Sequence, residues 1–232
     1  MHFVVLHTAR SMAEIFPNLA AVPTPLKDQQ IADLSGVRVD KFGFSFQVPW
    51  TKQTFDRTFT SMATVNFDGG SALLLDSPRS EVRQLEVLRS LNAHDRAALT
   101  SVLGAKAMSS NYEFVAAEME ITPSEAKWWS SRKSYERTIV LLGDKGADLD
   151  ECTSIHPVLR GAMRGFQFGD PDVAPYRVNL ELFDSLDREY VIRIITSPER
   201  GPVITQAQIN ALIASFVPLP APTRKSTSAS GI

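Results

Sequence analysis

A single cysteine, Cys152, occurs in a chain of 232 residues. That scarcity excludes an intrachain disulfide framework, a thiolate zinc site and a C-x-x-C redox pair together. Histidine is nearly as scarce. His2, His7, His94 and His156 are the only 4, and none falls in H-x-x-x-H or H-E-x-x-H spacing, so neither a metal nor any other cofactor is expected. Charge of neither sign dominates: 24 basic against 26 acidic residues leave a net charge of -2, too little for an electrostatic footprint on nucleic acid. No run approaches the roughly 20 apolar residues of a spanning helix. The N-terminal run Phe3 to Leu6 is too short for the apolar region of a secretory signal. The compartment this implies is the cytoplasm, with membrane anchoring or export as the alternative if a segment is missing upstream. A G-x-S-x-G elbow, a P-loop and a G-x-G-x-x-G fingerprint are all lacking.

What is present is an ordinary globular composition, 44% hydrophobic and 22% charged, enough for a sizeable core. The best-marked stretch runs from Thr122 to Gly143. Thr122 is a favourable N-cap, Pro123 suits the first helical position, and Glu125 can reach back to the cap's own amide. At about 100° per residue, Trp128, Tyr135, Ile139 and Leu142 share one sector, with Trp129 and Val140 beside it and Ser130, Lys133, Ser134 and Arg137 opposite. The spacing predicts a helix with a buried tryptophan face, stopped by Gly143 and followed by a turn through Asp144, Lys145 and Gly146.

Residues 1–35 form a lead-in interrupted by Pro17, Pro23 and Pro25. In VRVDKFGFSFQVPW, Phe42, Phe44, Phe46 and Val48 alternate onto one face, as in a strand that Pro49 ends. After a polar link, MATVNF and SALLLD flank Asp68, Gly69 and Gly70, a hairpin signal. The period then lengthens. Ser77 and Pro78 open a predicted helix with Val82, Leu85, Leu88 and Leu91 on one stripe. Asn92 caps a second helix, carrying Ala98, Leu99 and Val102, that Gly104 closes. Ser110 and Glu113 form a capping box ahead of Phe114, Val115 and Met119.

Beyond Gly143 strands return: Phe166 and Phe168, then Tyr176, Val178, Leu180 and Leu182, then Tyr190, Ile192 and Ile194, the last two strands joined by a turn over Asp184 to Arg188. A final helix is capped by Thr205 with Gln208, stapled by Ile204 and Ile209, and striped by Leu212, Ile213 and Phe216. The chain from about Val217 lacks periodicity and reads as a disordered tail. These elements predict an α+β domain over residues 36–217, with 218–232 as tail. Its antiparallel sheet has an apolar face covered by the helical block (about 78–143) and the C-terminal helix.

The run GFSFQVPW, the short hairpin after it and the closing strand pair with its terminal amphipathic helix resemble the plan of PsbP-like α+β domains. The helical block is longer than that family's pattern. GFQFGDP and ITQAQIN are similar to signatures of an uncharacterised bacterial protein family. The first resemblance implies a largely non-catalytic partner protein, and neither carries a functional residue across.

Three groups of residues could bear chemistry. Cys152 and His156 are four apart, as a nucleophile and base on one helix face would be, but Thr153, Ile155 and Pro157 disfavour a helix there. Extended, the two stand roughly 13 Å apart, too far for proton transfer. Glu113, Glu118 and Glu120 could pair as acid and base, against a capping role for Glu113 and a solvated helix face for the others. Trp129 and Arg132, beside Trp128, Lys127 and Lys133, could form a stacking platform for a ligand. The balance of these readings favours a non-enzymatic binding or scaffolding protein, with another protein as partner. The alternative is a small-molecule enzyme or sensor whose pocket lies near Trp129, Arg132, Cys152 and His156.

Overall fold

The computed structural model describes residues 17–78, 91–126 and 132–218. The alternating run resolves into a hairpin, β1 (Arg38–Lys41) and β2 (Phe44–Gln47), paired antiparallel from Lys41↔Phe44 to Arg38↔Gln47. Phe42 and Gly43 take positive φ, 51° and 78°, the left-handed turn whose twist matches the strands it joins. The expected single strand is therefore broken at Phe42, which sits in the turn and packs against the core only in part. Phe44, Phe46 and Val48 are buried as their alternation predicts.

Among the described residues seven strands form the main sheet: β3 (Gln53–Thr58), β4 (Met62–Phe67), β5 (Ala72–Asp76), β6 (Ile155–Arg160), β7 (Met163–Phe168), β8 (Arg177–Phe183) and β9 (Glu189–Ile195). Their order is β3-β4-β5-β9-β8-β7-β6, and every pair is antiparallel. The predicted hairpin stands between β4 and β5, with Gly69 and Gly70 at φ 80° and 77°. The β8–β9 pairing also forms as expected, Phe183 opposite Glu189. β3 occupies the stretch taken for a polar link. All of its residues are exposed, so it carries no burial alternation to find. The terminal residues Val217–Pro218 are not tail but β10, paired with β2 to complete a three-stranded sheet.

Four longer helices are described: α1 (Ala93–Leu103), α2 (Asn111–Glu120), α3 (Arg132–Leu149) and α4 (Gln206–Ala214), with a short helical turn at Pro123–Ala126. Asn92 accepts from the Asp95 amide and Ser110 from the Glu113 amide. Thr205 and Gln208 form a reciprocal capping box. The predicted helix from Ser77, with Val82, Leu85 and Leu88, falls outside the described residues but for its ends, as do Trp128 and Trp129.

The helix expected to end at Gly143 runs six residues further, to Leu149. Its buried face is also rotated, to Ser134, Thr138, Leu141, Leu142, Lys145, Gly146 and Leu149, while Val140 is exposed and Tyr135 and Ile139 are only half-buried. Tertiary contact overrides the glycine stop. Gly143 and Gly146 stay helical because Lys145 between them is drawn inward by carbonyl groups of other segments. The left-handed residue comes instead at Asp150, φ 50°.

The sheet is covered on both faces, which explains why β8 is buried almost throughout. One face carries Leu73, Leu75, Val178, Leu180, Leu182, Tyr190, Ile192 and Ile194. It packs against α4 and the small sheet through Phe44, Phe46, Ile209, Leu212, Ile213 and Phe216. Phe44 and Phe216 stack at 5.1 Å, with Tyr190 edge-on to both. The opposite face holds Phe166, Phe168 and Phe183 against Val115, Met119 and Leu149 of the helical block. A third cluster, Leu19, Leu99, Phe114, Ile121, Leu141 and Leu142, joins the helices to one another. The lead-in is integral from Pro17 on: the Thr24 amide donates to Ile155 O at 2.9 Å, and Asn210 reaches Asp28 O and Gln30 O.

Candidate functional site

Ile155 and Phe168 are register partners, as are His156 and Gln167. Directly paired residues share a face of a sheet and successive residues alternate, so His156 lies on the α4 side. Cys152 packs with Ile155, Phe166 and Phe168 on the other side. The sheet therefore separates the thiol from the imidazole. Both ring nitrogens of His156 are engaged, Nδ1 with Thr24 O at 2.8 Å and Nε2 with Ser154 Oγ at 3.1 Å. The Cys152 thiol is directed at Arg177 O, and burial pushes its pKa up to about 11, with a smaller opposing effect from the Asn179 backbone hydrogen bond. A thiol in that state is a poor nucleophile.

Arg132 opens α3 with its side chain exposed and its Nε 2.8 Å from Glu136 Oε1. Trp129 lies outside the described residues. Of the three acidic residues on α2, Glu113 pairs with Lys106 at 2.8 Å and Glu120 is exposed. Glu118, expected on a solvated face, is fully buried, because the face that α2 turns inward comprises Asn111, Phe114, Val115, Glu118 and Met119. Among the described residues no group of three His, Cys, Asp or Glu is placed to hold a metal ion, and no helix is long and apolar enough to cross a membrane.

Three polar centres escaped the sequence reading; two of them fasten separate segments together, and the third holds a turn. Lys145 is fully buried and donates to Ala21 O at 2.5 Å, Ile121 O at 2.6 Å and Met119 O at 2.7 Å, tying α3 to the end of α2 and to the lead-in. Its helical spacing from Leu141 and Thr138 was the available signal, hidden by the assumption that Gly143 ends the helix. Asp187 takes φ 61° and receives the backbone amides of Asn111 at 2.5 Å and Tyr112 at 3.3 Å, so a residue of the β8–β9 turn caps α2. Within the same turn Asp184 accepts from the Leu186 and Arg188 amides, from Arg188 Nε at 2.6 Å and from the Tyr190 hydroxyl at 2.9 Å. Burial alone would raise the Asp184 pKa, but these donors outweigh it and hold it below the usual carboxylate range. The Tyr190 phenol is pushed above its own, first by burial and then by Asp184.

A different kind of surface lies at the far end of the sheet. Phe55 and Phe59 are 49% and 46% exposed and Met62 is 38% exposed. Phe59 donates its amide to Met62 O at 2.7 Å, and the Arg57 guanidinium lies 4.6 Å above the Phe59 ring. The alternation Phe55, Arg57, Phe59 sets these side chains on one face. By register through Thr64, Leu74 and Arg193 it is the face that the helical block covers at the β6–β8 end. No protein-family model, curated protein or solved structure matches this chain.

Proposed function

We propose that this chain is a non-catalytic binding or scaffolding protein whose partner is another protein. The observation that carries the reading is the bare apolar row Phe55, Phe59 and Met62 at the β3 end of the sheet. Clustered exposed aromatics bring a cost in water that burial against a partner relieves. Aromatic residues flanked by an arginine are also the composition of interface hot spots. The fate of the candidate catalytic pair supports the same class, since Cys152 and His156 are each bonded into the fold on opposite sides of the sheet. The resemblance to PsbP-like domains implies it as well.

The test is affinity capture from the native source with the intact chain and with a Phe55→Ser/Phe59→Ser variant, both verified as folded. The reading expects a protein retained by the first and lost by the second. Capture of nothing, or of the same proteins by both, overturns it.

A further inference from the structure

The two edges of the seven-stranded sheet are treated differently. β6 carries Pro157, which has no amide to offer, and the lead-in lies along it, bridging Pro23 to Ile155 with the Thr24 amide on Ile155 O at 2.9 Å. That edge is closed. β3 at the other end has no proline, is exposed from Gln53 to Thr58, and pairs among the described residues only with β4.

Hydrogen-bond phase shows which of its groups face outward. The bond from the Phe59 amide to Met62 O makes that pair a hydrogen-bonded one. In an antiparallel ladder such pairs alternate, so Arg57 and Phe55, opposite Thr64 and Asn66, also turn their backbone groups toward β4. Asp56 and Thr58 present their amide and carbonyl groups to the open edge.

We propose that β3 is a strand-addition site that receives an extended segment of another protein. This rests on the protein-binding reading and names the chemistry of the partner. Residues directly opposite one another share a face, so the incoming strand sets an apolar side chain beside Phe55 and an acidic one beside Arg57. On the other face it sets a basic or neutral one beside Asp56, which already pairs with Lys41 at 2.6 Å. A second copy of this chain fits poorly. Two-fold antiparallel pairing centred on Asp56 or Arg57 opposes that residue to itself, and like charges directly opposite destabilise. Centred on Phe55, the pairing runs into the bulge between Gln53 and Phe55, and centred on Thr58, the last residue of β3, half of it falls in the turn that leads back to β4.

The probe is a labelled synthetic hexapeptide, Val-Thr-Glu-Lys-Val-Thr, which read antiparallel sets valine opposite Phe59 and Phe55, glutamate opposite Arg57 and lysine opposite Asp56. Anisotropy titrations of the full chain should show saturable binding, weakened roughly threefold to tenfold when glutamate and lysine are exchanged. Binding should be lost in Thr58→Pro, which removes one outward amide and none that faces β4. If that variant does not fold, N-methylation of the peptide residues opposite Asp56 and Thr58 makes the same cut on the ligand and should abolish binding to the unaltered chain. Absence of saturable binding below about 1 mM (an affinity near 4 kcal/mol), indifference to both cuts, or concentration-dependent self-association through β3 overturns the proposal. A natural partner captured by the intact chain and kept by Thr58→Pro overturns the edge site while sustaining protein binding.

Discussion

Lys145 Nζ lies 2.6 Å from the carbonyl oxygen of Ile121, inside the protein and beyond the reach of solvent. The carbonyl belongs to the chain just past α2, where the last groups of a helix lack intrahelical donors. A buried ammonium that satisfies such groups from a neighbouring helix acts as a C-cap delivered across the fold.

Replacing Lys145 by Met keeps most of the volume but leaves three carbonyl groups without their donor. Chemical denaturation should show a loss of about 3 kcal/mol, the scale for removing one member of a buried charged set. Lys133→Ala, on the exposed side with pairs to Asp95 and Glu136, should change stability by no more than about 1 kcal/mol. Equal losses would mean that the buried face of α3 is not the one described.

Cys152 should resist alkylation by iodoacetamide in the native protein at pH 8, since its pKa near 11 leaves little thiolate and its sulfur is enclosed. One equivalent should react once the chain is unfolded. Rapid stoichiometric labelling of the native protein would contradict the burial and revive a nucleophilic role.

Asp184→Asn should cost about 2 kcal/mol at pH 7, the scale for hydrogen bonds to a charged group. The sign of its pH dependence follows from the direction of the shift. The folded pKa lies below the unfolded value, so the stabilisation is complete above about pH 4 and fades as pH falls through the native value. Urea melts from pH 7 to 3 should therefore show the gap between the two proteins narrowing on the acid side. A gap independent of pH would remove the carboxylate from this role.

Much of this architecture was legible in short-range chemistry. Asn92, Ser110 and Thr205 start helices because their side chains reach amides three residues on, and Gly69 and Gly70 supply the positive φ that the β4–β5 turn requires. What was hidden depends on distant groups. α3 passes Gly143 because carbonyls of Ala21, Met119 and Ile121 hold Lys145 inward. β3 has no buried side to betray it. The candidate site divided similarly. Extended geometry already argued against a Cys152–His156 pair, while the separation of the two by the sheet needed the register of β6 and β7.

The most direct test of the account is amide hydrogen exchange of the full chain with and without its captured partner. Protection concentrated in residues 53–67, with the Cys152 to His156 segment unchanged, is the predicted result. Protection centred on Arg132 and the Cys152 to His156 segment, with β3 and β4 exchanging as in the free protein, would contradict it.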